Sequence, residues 1–144
     1  MGSLRKRITD TLLHVFERHD LLLFEHMPTT SVPIYGVYHV FCDKGWERIV
    51  ERQVNVLRES GLLEASSRLC VSLIVKDDSD VEKFKRIAAT DKLDIISCSK
   101  NPLRYEYPAL EYVKTLSAQQ DCYIYYFHTK GISYQTTESK DRRF

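Results

Sequence analysis

An open, mostly parallel, doubly wound α/β sheet with flanking helices and one extra N-terminal helix is the fold this sequence predicts. Short runs rich in β-branched and aromatic residues recur along the chain, and a stretch with apolar residues at helical spacing follows each of them. Gly, Pro, Asn and Asp mark the junctions. Strands that are apolar throughout and alternate with helices bury both faces of a sheet under crossover helices, which is the α/β arrangement.

The elements follow in order. Residues 4–18, LRKRITDTLLHVFER, set Leu4, Ile8, Leu12, Val15 and Phe16 at helical spacing with basic residues on the other faces. HMPTTSVP, with Pro28 and Pro33, separates this amphipathic helix from the rest, giving an N-terminal helix and linker over 1–32 and an α/β domain over 33–144. IYGVYHVFC (34–42) is the first strand, and after Asp43-Lys44-Gly45 the positions Trp46, Ile49, Val50, Val54 and Leu57 make a helix that Gly61 closes. RLCVSLIV (68–75) is the second strand; Ser79 and Glu82 then have capping-box spacing ahead of Val81, Phe84, Ile87 and Ala88. LDIISC (93–98) is the third strand, broken by Asn101-Pro102, and Pro108 suits the first turn of a helix with Leu110, Val113 and Leu116 on its buried stripe. YIYYFHTKGISY (123–134) opens as the fourth strand.

At 144 residues the chain has the length of about one domain. With 43% hydrophobic and 28% charged residues and a net charge of +1, it is not a chain whose charge alone would attract nucleic acid. No apolar run reaches the roughly 18 residues of a membrane span, and Arg5, Lys6 and Arg7 lead into an amphipathic rather than a secretory segment, so a cytoplasmic location is expected. Cys42, Cys70, Cys98 and Cys122 lie 28, 28 and 24 residues apart, with no C-x-x-C pair. Each ends or sits in an apolar strand, as small fillers of a repeating strand-and-helix unit would.

Doubly wound sheets bind ligands beyond the carboxyl ends of their strands. Four loops therefore matter. In CDKGW, Asp43, Lys44 and the glycine precede a helix whose amide end favours anions; the same residues also make an ordinary turn with an aspartate cap. In VKDDSD, Asp77 and Asp78 can accept hydrogen bonds from a nucleobase or ribose, or one of them can cap the helix. SKNPLRYEYP contributes Arg104. In HTKG, His128 and Lys130 are polar groups held at the sheet rim, Thr129 lies between them, and Gly131 lets backbone amides approach a ligand. The alternative there is a solvated turn. His39 reads as a core or sheet-face residue. No G-x-G-x-x-G, P-loop or G-x-S-x-G is present, which disfavours classical dinucleotide folds, P-loop enzymes and serine hydrolases of the elbow type.

Taken together, the loop with Trp46 after strand one, ERQVNVLRESGL in the first helix, the aspartate-bearing second loop, EYPALEYV and then YIYYFHTKG resemble the N-terminal half of bacterial glycosyltransferases from surface-polysaccharide clusters. The likeness covers residues 34 to about 134, and HTKG after an aromatic strand is its most specific part. It implies a Rossmann-like sheet of the GT-A type, a nucleotide-diphosphate sugar as donor and a glycan or lipid-linked acceptor. The base or ribose would meet Asp77 or Asp78, and His128 and Lys130 would stabilise the departing diphosphate. GT-A enzymes usually carry a D-x-D motif for a manganese or magnesium ion there, and no D-x-D follows strand four, so the metal and its ligands stay open. Only TTESKDRRF remains for an acceptor half, which implies a donor-binding half of a longer protein or a chain that works with a partner. A non-catalytic nucleotide-binding or interaction module is the alternative. Helix 4–18 is a candidate contact with a membrane surface, the plainer alternative being that it packs on its own domain or on a second copy.

Overall fold

The computed structural model describes residues 31–129. The chain divides into two units, Met1–Ser31 and Val32–Phe144, and the α/β sheet belongs to the second. The helix expected over 4–18, together with Lys130, Gly131 and the residues after them, lies outside the described residues.

Four strands, β1 (Ile34–Phe41), β2 (Arg68–Ile74), β3 (Leu93–Ser99) and β4 (Tyr123–His128), make one sheet in the order β3-β2-β1-β4 with every pairing parallel. Helix α1 (Trp46–Glu59) and the single turn α2 (Leu62–Ala65) join β1 to β2, α3 (Ser79–Ala88) joins β2 to β3, and α4 (Tyr107–Gln119) returns the chain to β4. The fold is thus α/β and compatible with a Rossmann-like arrangement.

Side-chain alternation along β1 divides the core. Tyr38, Val40 and Cys42 join α1 and α3 through Val50, Val54, Leu57, Phe84 and Ala88 on one face. Val37 joins Cys70 and Ala109, with Tyr35, Tyr112, Val113, Ile124 and Tyr126 around them, under α4 on the other. The predicted stripe of α1 is buried as expected, at Trp46, Val50, Val54 and Leu57. Gly61 takes φ +77°, the left-handed conformation that ends such a helix, and from there the chain makes the turn α2, too short for LLEA to display a period.

Two local expectations are corrected. Ser79 is the first helical residue of α3 rather than its cap, and Glu82 pairs instead with Lys85 at 2.9 Å. The N-cap, Asp78, makes no side-chain cap bond, and the turn ahead of the helix is instead held by aspartates: Asp77 Oδ1 accepts from Ser79 N at 2.7 Å, and buried Asp80 Oδ2 accepts from Lys76 N at 2.9 Å and Asp77 N at 3.2 Å. Of the four cysteines only Cys42 and Cys70 are core fillers; Cys98 is exposed and Cys122 half-buried. The reason is position, since β3 is an edge strand, half-exposed along most of its length, and Cys122 precedes the opposite edge strand β4.

Candidate functional site

Strand order defines where a ligand site can form. From β1 the chain steps outward to β2 and β3 with α1 and α3 on one face, then passes back under the sheet through α4 to β4 on the other side of β1. Strand order therefore reverses between β1 and β4, and the carboxyl ends of the strands at such a reversal are where open α/β sheets hold ligands. Register places His39 of β1 beside His128 of β4.

On the β1 side, Asp43 Oδ1 accepts from Lys44 N at 2.8 Å and from Lys76 Nζ at 2.7 Å. The Lys76 hydrogen bond is the main reason its carboxyl is held below its ordinary 3.8. Gly45 has φ +81°, a turn that a side chain would strain, and α1 begins behind it with no side chain capping its amides. The Lys44 side chain is exposed. From this end a groove of about 800 Å³ runs between α1 and β4, lined by Gly45, Arg48, Arg52 and Gln53 with an apolar floor that includes Ile49 and Phe127. Neither arginine has an ion pair among the described residues.

On the β4 side, Thr129 is buried. Its N–H donates to His39 O at 3.1 Å and its Oγ1 accepts from Phe41 N at 2.9 Å, so it continues the β1–β4 ladder and faces protein. Gln53 ties the same strand end to α1: its Nε2 donates to His128 O at 3.0 Å while its Oε1 accepts from the buried Tyr38 hydroxyl at 2.7 Å. Asp77 and Asp78 follow β2 and Arg104 follows β3, not this pair of strands. Asp77 is engaged with Ser79, and Asp78, after β2, pairs with Lys100 at 2.9 Å. Exposed Arg104 lies in the 3-10 turn Pro102–Arg104 after β3.

That turn leads to a residue that the sequence did not single out. Glu106, just ahead of α4, accepts from the Tyr126 hydroxyl at 2.5 Å through Oε2, and the same oxygen lies 3.7 Å from His128 Nδ1. The Tyr126 and His128 rings stack at 5.8 Å. His39 sits next to them, 7% exposed, and its Nδ1 has no hydrogen-bond partner; nor has the hydroxyl of its neighbour on β2, Ser72. A polar row His128, His39, Ser72, Ser97 thus crosses all four strands. Arg48, Arg52 and Gln53 were also missed. Only their helical phase, one to two turns beyond Gly45 on the side of α1 toward β4, marks them.

Burial, the largest influence, lowers the pKa of His39 from 6.5, with Glu106 opposing it and His128 adding to it. A histidine held neutral in the fold binds its proton more readily once unfolded. Its contribution is therefore intact above about pH 6.5 and declines as pH falls below that value toward the lower folded pKa. Urea unfolding of wild type and His39→Gln should accordingly show a smaller loss of stability between pH 7.5 and pH 5.5 in the variant. Equal losses would mean that His39 titrates alike in both states.

Among the described residues no three His, Cys, Asp or Glu side chains are arranged to hold a metal ion, and no helix is long and apolar enough to cross a membrane. Compared with known proteins, the chain matches no family model, no curated protein and no solved structure.

Proposed function

We propose that this α/β unit binds a nucleotide-diphosphate sugar at the carboxyl ends of β1 and β4, as the donor-binding half of a GT-A-type glycosyltransferase acting on a glycan or lipid-linked hydroxyl. The observation that carries the reading is the reversal of strand order between these two strands, the position at which open α/β sheets hold their ligands. Further support comes from the N-terminal end of α1. There Lys44, Arg48 and uncapped helix amides offer positive charge and N–H groups to a diphosphate, without a carboxylate bound to those amides. Lys130, the next residue after Thr129, adds a cation to the same reading from the sequence. Sugar transfer would then depend on stabilising the diphosphate as its bond to the sugar breaks.

Calorimetry and thermal shift with uridine, guanosine and thymidine diphosphates and their sugars, with and without manganese, test the proposal. One of these ligands should raise the melting temperature, and Lys44→Ala and Arg48→Ala should each weaken its binding about tenfold, as loss of a charge-assisted contact of ~1.4 kcal/mol would. A folded sample that binds none of them overturns it. Binding without release of nucleoside diphosphate from any sugar donor, across a panel of acceptors, would favour a non-catalytic nucleotide-binding module.

A further inference from the structure

We propose that Glu106 and His128 form a carboxylate–imidazole dyad in which His128 Nε2 takes the proton of the attacking hydroxyl. In it, Glu106 and Tyr126 are positioning residues. The inference rests on the nucleotide-sugar reading and supplies that reaction with a base.

Geometry fixes the carboxylate from two sides. The Glu106 backbone carbonyl accepts from Ala109 N at 3.0 Å and Leu110 N at 3.1 Å in the first turn of α4, while its side chain accepts the Tyr126 hydroxyl at 2.5 Å. Tyr126 and His128 are two residues apart on β4 and so share one face of the sheet, with their rings 24° from parallel. Glu106 Oε2 therefore stands 3.7 Å from Nδ1 of a ring that β4 and the stacked tyrosine hold in place. A carboxylate beside Nδ1 favours the tautomer with its proton there, which leaves the Nε2 lone pair as the acceptor. Nε2 has no protein partner among the described residues, and the His128 side chain is 36% exposed.

Among the described residues, the groups that face this ring are few. β4 presents Tyr126, β1 presents His39, and Glu106 comes from the segment ahead of α4; Gln53 of α1 meets only the His128 carbonyl. His39 is buried, and burial lowers its pKa, which disfavours a second imidazolium beside His128. Glu106 also changes what His128 can bind. A diphosphate brought to a ring already facing a carboxylate meets repulsion, whereas an alcohol does not. The leaving group thus belongs at the α1 end, on the face that Phe127 lines, and the nucleophile at the β4 rim on the α4 face, so the sugar would cross the carboxyl edge between β1 and β4. In the transfer step the acceptor O–H bond breaks and its proton goes to Nε2 as the oxygen forms a bond to the anomeric carbon. The bond from that carbon to the phosphate oxygen breaks, and its electron pair leaves on the diphosphate. The imidazolium is held by Glu106 until solvent takes the proton.

The test uses the whole chain, with release of nucleoside diphosphate from uridine, guanosine and thymidine diphosphate sugars as one readout and 15N NMR of the His128 ring as the other. The neutral wild-type ring should carry its proton on Nδ1. Glu106→Gln, which preserves the side-chain shape, should shift the tautomers toward Nε2–H and lower kcat about tenfold to a hundredfold with the donor KM unchanged. His128→Gln should lower kcat by about 10²–10⁴. A wild-type ring protonated on Nε2, or full turnover by Glu106→Gln, overturns the dyad while leaving the donor reading standing. If the wild type binds and turns over no nucleotide sugar, the donor reading falls and the base role with it, even where the tautomer is the one expected.

Discussion

Phe84→Ala is expected to lower the unfolding free energy by about 3–5 kcal/mol, the range for removing a fully buried phenylalanine. Phe84 has no exposed surface and lies among the residues where α1, α3 and the sheet meet, its ring 6.2 Å from that of Tyr38. α3 has only ten residues and buries just Asp80, Phe84 and Ala88, so the phenyl ring is its principal apolar anchor. Without it the helix loses its packing before the sheet does. Urea denaturation gives the value, and Phe84→Leu, which keeps most of the volume, should cost under about 1.5 kcal/mol. An alanine variant within about 0.5 kcal/mol of wild type would show that α3 is held by something else, since only surface changes are ordinarily that small.

Gly36→Ala should rank next, at about 1–3 kcal/mol for a methyl group forced into a filled site. A Cβ at Gly36 would stand 2.5 Å from Cζ and from the hydroxyl oxygen of Tyr125, and 2.8 Å from Leu69 Cδ1. The Tyr125 ring crosses the glycine on the neighbouring strand and stacks on Phe127 at 6.0 Å, and its hydroxyl meets Ser66 Oγ at 2.8 Å. The ring cannot yield without giving up that hydrogen bond and disturbing the stack. Combining Gly36→Ala with Tyr125→Leu should therefore cost less than the sum of the two changes, because either one relieves the other. Strict additivity in a double-mutant cycle would mean that the ring is not the obstacle. Since Tyr125 lies three residues before His128, this variant should also disturb the rim.

Legibility divided along physical lines. Each strand is a short run of β-branched and aromatic residues, and each of the three longer helices carries its period in at least three apolar positions, so both were readable in Ile34–Phe41, Trp46–Glu59 and their successors. Gly61 and Pro108 marked a helix end and a helix start because backbone geometry demands those residue types there. Strand order was not written locally. Which of the loops bearing Asp43, Asp77 and Asp78 follows the strand beside β4 depends on β4 pairing with β1 rather than β3, a choice that no single segment contains. Glu106 was invisible for the same reason: it lies before a proline-led helix, 22 residues from His128, and becomes its neighbour only when α4 carries the chain back across the sheet. Thr129 read as a rim residue because the sequence does not show that the ladder continues one residue past the strand.

The pairing of Ile34 with Tyr123 also sets a schedule for synthesis. A ribosome adding about 5–20 residues per second needs roughly 4 to 18 s to make the intervening chain. Until then β1 can pair at most with β2, on one side, once that strand has been made, and its other edge presents bare N–H and C=O groups beside Val37 and Tyr35. Such an edge recruits other chains. Chains released before Tyr123 should thus accumulate as aggregates, and a chaperone that shields nascent strand edges should raise the yield of folded protein more than one that acts after release.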